Sequence, residues 1–170
     1  MRRTLTVAAM AATLVMAGPA VASYAATDDG IAPGNYLVGA GTLGQFGNPT
    51  AYLGAYETSS GPFGGFTITY PDGTYAIGRV TCLTVNGNLS FLTGKIALSG
   101  GPRKETNKWL KDYSVVIGVE DNGDGGATEA PDRLNFSPGS PTDVGCGWNI
   151  TARPDFVIVK GNYRTIDATN

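Results

Sequence analysis

The chain reads as an all-β domain: an antiparallel β-sandwich or partly closed β-barrel with one short helical insert. Three observations predict this. Short runs of alternating apolar and polar residues recur along the chain, in the pattern of half-buried strands. Glycine supplies 25 of the 170 residues, and turn signals such as Pro71-Asp72-Gly73 and Asn86-Gly87-Asn88 separate the runs. No run is followed by the amphipathic helix that a parallel crossover needs.

The first 25 residues read as a removable signal peptide. Arg2 and Arg3 precede an uncharged apolar run from Leu5 to Ala17, and Gly18-Pro19 then breaks it ahead of small residues. Cleavage is expected after Ala22 or after Ala25. A transmembrane span is disfavoured, because the run falls short of the ~20 residues a bilayer needs. Residues 26–34 read as a flexible N-terminal arm, and residues 35–170 as a single β-domain.

Within that domain Phe66 to Tyr70 alternates at period two before the Pro71-Asp72-Gly73 turn. Tyr75 to Val85 forms a long strand whose apolar phase shifts near Gly78, which predicts a bulge or bend. Asn86-Gly87-Asn88 turns it into a strand from Leu89 to Leu98. Lys104 to Lys111 is the segment with helical character. Tyr113, Val115, Ile117 and Val119 mark the next strand. Arg133 to Phe136, Pro154 to Lys160 and Tyr163 to Ala168 supply the rest, the last two meeting at Gly161-Asn162. The expected total is eight or nine strands.

Charge and cysteine usage narrow the function classes. Loss of the leader removes two of the 12 basic residues and none of the 14 acidic ones, leaving ten against 14 and a net charge of −4. A weakly acidic protein is a poor match for nucleic acid, whose phosphates demand a basic face. Cys82 and Cys146 are the only cysteines. In an oxidising compartment an even pair is most simply one disulfide, the alternative being two buried free thiols. Trp148, two residues beyond Cys146, is expected to pack on the bridge.

Available chemistry is limited. Histidine is absent from the sequence, which removes Ser-His-Asp and Cys-His catalysis and His-ligated zinc or copper. Neither a Gly-x-Ser-x-Gly elbow nor a Ser-x-x-Lys signature is present. Gly39-Ala40-Gly41-Thr42-Leu43-Gly44 matches the dinucleotide-binding pattern in letters only, since Asn48-Pro49 and a β-run follow where a helix should open. No cofactor is expected.

The densest oxygen-rich segment holds Glu120, Asp121, Asn122, Asp124 and Asp132. Its spacing is not that of an EF-hand, and Asp, Asn and Gly suit a turn for backbone reasons. A turn with largely solvated carboxylates is therefore expected in preference to a calcium site at Asp121, Asn122, Asp124 and Asp132. The sequons at Asn88 and Asn149 would stay idle in a bacterial source.

The candidate ligand-binding residues are Trp109, Lys104, Lys108 and Arg103, in the connection from Gly100 to Asp112. Two placements are open for Trp109: a cap over the core, or an exposed anchor flanked by cations facing an acidic or sugar partner. The cations themselves suit an ordinary solvated face, diluted by Glu105 and Asp112.

Several phrases resemble a family of small secreted β-domain proteins from high-GC Gram-positive bacteria, and are similar to the related post-COAP-1 domain. They are Gly39-Ala40-Gly41-Thr42, the run from Gly78 to Asn88, Val119 to Gly123 with Pro131-Asp132-Arg133, Cys146, and Gly161 to Ala168. The Lys104 to Lys111 insert departs from the shorter turn that the family pattern leads one to expect. The resemblance implies a secreted β-domain and supports the disulfide. It brings no catalytic residues.

The functional expectation is a secreted, non-catalytic binding or structural module, with an extracellular protein or carbohydrate as partner and no membrane anchor after cleavage. The alternative is a small carbohydrate-active hydrolase using a carboxylate pair.

Overall fold

The computed structural model describes residues 34–123, 129–146 and 153–168. The leader, most of the arm, Asp124, Trp148 and the Asn149 sequon lie outside the described residues. Among the described residues, eight antiparallel strands close into a barrel in chain order. They are β1 (Tyr36–Leu43), β2 (Thr50–Thr58), β3 (Gly61–Thr69), β4 (Tyr75–Asn86), β5 (Leu89–Gly100), β6 (Ser114–Glu120), β7 (Arg133–Phe136) and β8 (Phe156–Ile166). The barrel is closed, so of the two architectures expected the sandwich is excluded. β8 is one continuous strand through Gly161-Asn162.

The helical insert is not formed. Residues 102–108 are a succession of turns, with Lys108 N–H bonding to Glu105 O and Trp109 N–H to Lys104 O. Lys108 has φ 53°, a left-handed conformation that ends any helical path. The segment is too short to hold a helix by propensity, and isolated helices below ~12–15 residues are marginal. What decides its path is the burial of Trp109, which is 0% exposed.

Inward positions follow the period-two pattern. Leu37 and Leu43 from β1, Ile68 from β3, Leu92 and Ile96 from β5, and Val115, Ile117 and Val119 from β6 join one core. Eight strands leave an interior just wide enough for side chains to fill, and here bulk is balanced against glycine. Phe66 fits because Gly94 faces it: a Cβ at Gly94 would lie 2.5 Å from the Phe66 ring. Tyr163 crosses the interior over Gly41, where a Cβ would meet its ring at 2.7 Å, and its hydroxyl donates to Ala51 O at 2.8 Å. Gly39 and Gly41 of the Gly39–Gly44 phrase are therefore where strand β1 makes room for a tyrosine.

The phase shift expected near Gly78 is present, as register breaks between Ile77 and Gly78 and between Val80 and Cys82. The hairpin loop between β4 and β5 is Gly87-Asn88, and Gly87 takes φ 57°. That is the arrangement of a two-residue loop with glycine first.

The disulfide joins Cys82 and Cys146, with Cα atoms 5.4 Å apart. It fastens a strap on the outside of the barrel. Ser140 bridges to Ser114 on β6, Asp143 pairs with Lys95 on β5 at 3.0 Å, and Cys146 ends on β4. Cys82, Thr93 and Val116 are register partners across those strands, and all three are buried.

The weakest seam lies between β7 and β8, which pair at only two positions. Beyond β7 the edge of β8 is bonded by carboxylates. Asp132 Oδ2 accepts the Tyr163 N–H at 2.7 Å, its Oδ1 accepts the Asn122 N–H at 2.8 Å, and Asp121 Oδ2 accepts the Thr165 N–H at 2.7 Å. Asp132 is only 4% exposed, so its carboxylate is not solvated as expected. Burial raises its carboxyl above the usual value, and the two backbone N–H groups pull it back down. Glu120 accepts a 2.6 Å bond from Arg153. This acidic segment is a seam closure.

Candidate functional site

At one end of the barrel, where β1, β3, β5 and β7 finish and β2, β4, β6 and β8 begin, the core does not fill the mouth. A cavity of about 400 Å3 remains. The rim elements each send in an aromatic ring. Phe46 comes from the β1–β2 connection, Tyr70 follows β3, Trp109 lies in the β5–β6 connection, Phe136 ends β7 and Phe156 opens β8. Leu43, Arg103, Asn107, Ser137 and Pro138 complete the wall.

The rings form two groups. Trp109 lies 5.5 Å from Tyr70 and 6.0 Å from Phe136, both tilted, and Phe46 meets Phe156 edge-on at 4.7 Å. These separations lie within the range of favourable aromatic contacts. Phe46 is still 57% exposed, and its backbone sits at φ 56°. Among the described residues, the non-glycine positions with positive φ are Phe46, Asn48, Lys108 and Asp112. All four belong to the two connections that rim the mouth. Such conformations are costly for ordinary residues and cluster at functional sites.

The polar side of the wall includes two buried donors. Trp109 Nε1 and Asn107 Nδ2 are buried without a hydrogen-bond partner. Arg103 stands over the Tyr70 ring with Cζ 5.0 Å from its centroid. Its Nε donates to Asp72 Oδ2 at 2.5 Å and its Nη1 to Phe46 O at 3.2 Å. Asp72 also accepts the Thr74 N–H at 2.9 Å. The Thr74 hydrogen bonds, and then Arg103, hold its carboxyl below the usual range. Burial pushes the Tyr70 phenol up, opposed by Asn107 and by the Arg103 charge. Tyr70 is thus a neutral phenol at physiological pH.

Of the residues singled out from sequence, the structure brings Trp109 and Arg103 to this cavity and leaves Lys104 and Lys108 outside it. Lys104 instead approaches Glu105 at 3.7 Å. Trp109 takes the buried of its two placements. Its N–H bonds to Lys104 O at 2.7 Å, and its carbonyl accepts the Ser99 hydroxyl. Phe46, Tyr70, Asn107, Phe136 and Phe156 had no signal of their own in the sequence. The four aromatics sit at or near strand ends and Asn107 lies within the β5–β6 connection, and only the hairpin order shows that these places meet. Comparison with family models, with curated proteins and with solved structures finds no match to the chain.

Proposed function

We propose that this chain is a secreted, non-catalytic binding module whose ligand is a small molecule held in the barrel mouth. The observation that carries the reading is the aromatic cavity itself, with two buried N–H donors left unpaired in its wall. Buried polar groups in native proteins nearly always have a partner, and an unpaired donor costs roughly 1–3 kcal/mol. A ligand oxygen would supply what the fold lacks. The mouth of a β-barrel is a common place for such a site, and the volume falls within the roughly 300–1,000 Å3 usual for small ligands.

The alternative, a carboxylate-pair hydrolase, needs two carboxylates about 5–10 Å apart on one cleft. No Asp or Glu is among the described residues lining the cavity. Secretion fits the disulfide, and among the described residues no helix is long and apolar enough to cross a membrane.

The test is a fragment screen by amide NMR on the oxidised protein. Binders should shift resonances from residues 43–46, 103–109 and 136–138 together. A screen whose hits all map to the outer strand faces would refute the mouth as the site. Recovery from the medium with Ser23 or Ala26 as the first residue checks the secretion reading.

A further inference from the structure

We infer that the mouth selects a compact, flat ring system bearing a carbonyl-type oxygen acceptor, and rejects both long acyl chains and ammonium groups. This rests on the mouth being a ligand site, and deepens that reading.

Depth excludes the chain. Directly below the mouth the barrel is filled: Phe66 is packed against Gly94, and Tyr163 against Gly41 and Ile158, leaving Phe66 2% and Tyr163 1% exposed. An extended chain has nowhere to thread, whereas a two-ring body matches a 400 Å3 chamber walled by five aromatic rings. Polarity selects the acceptor. Among the residues lining the cavity, the buried side-chain groups without a partner are both N–H donors, the Trp109 indole and the Asn107 amide, and Trp109 is 0% exposed. An indole N–H can only donate, so no donor-only ligand satisfies it. Charge excludes the ammonium. The cation at the rim is Arg103, and its carboxylate partner Asp72 is already bonded to it and to the Thr74 backbone. A ligand cation would meet Arg103 with no free carboxylate among the lining residues.

Four probes decide the matter on the native, oxidised protein: 2-acetonaphthone, naphthalene, 2-naphthylmethylammonium and palmitate. The readouts are affinity from amide NMR titration and the position of the Trp109 indole N–H resonance. We expect 2-acetonaphthone to bind about tenfold tighter than naphthalene, the gain of satisfying one buried donor, and to move the indole resonance downfield. Naphthalene should bind without that shift, and the ammonium and palmitate should not compete. Asn107→Ala and Trp109→Phe should each shrink the acetonaphthone advantage, read as the ratio of the acetonaphthone and naphthalene affinities measured on the same variant. Because Trp109 is core, the indole shift in the unmodified chain stands as a test even if Trp109→Phe folds poorly.

Equal affinity for acetonaphthone and naphthalene, or palmitate competing as well as the ketone, would overturn the ligand class while leaving the mouth as a site. Absence of any mouth shift with all four probes would overturn both.

Discussion

Replacing Asp132 with alanine should loosen the β7–β8 seam, because two backbone N–H groups lose their acceptor at once. The Tyr163 N–H belongs to a residue that is 1% exposed and would be left dry, at a cost of roughly 2–3 kcal/mol. The Asn122 N–H is on a half-buried residue and can recover water, so its loss adds about 0.5–1 kcal/mol. The sum is about 3 kcal/mol, or a fall in Tm of about 10 °C for a domain of this size. Urea unfolding should show a lower midpoint with an unchanged slope. Asp132→Asn, which keeps one acceptor oxygen, should lose about half as much. The pH dependence has a definite sign. Burial raises the carboxyl above its usual 3.8, so its contribution is full below that value and declines as pH rises through the folded-state value. The gap between the native protein and Asp132→Ala should therefore narrow from acid pH toward its neutral plateau. A loss below about 0.5 kcal/mol at pH 7 would refute the seam argument.

Three further outcomes are expected. Replacing Cys82 and Cys146 together by serine should cost roughly 4 kcal/mol, since the bridge closes a separation of 64 residues, and thiol titration of the unfolded, unreduced native chain should find no free sulfhydryl. Trp109→Ala should cost about 3–5 kcal/mol, as for other buried tryptophans; a change in Tm of only a degree or two would return Trp109 to the surface. Chelator should leave the melting temperature unchanged, because Asp121 and Asp132 spend their oxygens on backbone N–H groups. A fall of several degrees reversed by added calcium would establish an ion site there.

The two hairpins flanking β4 were legible because each is local. The Pro71–Gly73 turn, the Asn-Gly hairpin and the alternation of Val115, Ile117 and Val119 each lie within a few residues of what they specify. Closure was not, since β1 pairs with β8 across most of the domain, and nothing near Tyr36 announces Ile166. The acidic segment misled for the same reason. Asp132 has the composition of a turn, and only the shortness of β7 turns its carboxylate inward to bond the edge of β8. The Lys104 to Lys111 stretch has the residues of a helix, yet a single buried tryptophan overrides that preference. The cavity was invisible because its rings are drawn from positions 46 to 156, and their convergence is a property of the barrel end.

The meander order has one more consequence. Tyr36 is the register partner of Ile166, and the Ala168 N–H bonds to Asn35 Oδ1 at 2.9 Å, so the described ends of the domain adjoin each other opposite the mouth. Every neighbouring pair of strands but this one is joined by a chain connection. The barrel is thus nearly a ring in sequence as well as in space, and the point at which the chain is opened is largely arbitrary. A permuted chain that links position 168 to position 35 and begins at Asn88 keeps all eight pairings and the intact cavity wall. One opened at Phe46 or Asn107 would keep the pairings and split the wall, which separates the scaffold from the site in a single pair of rearranged genes.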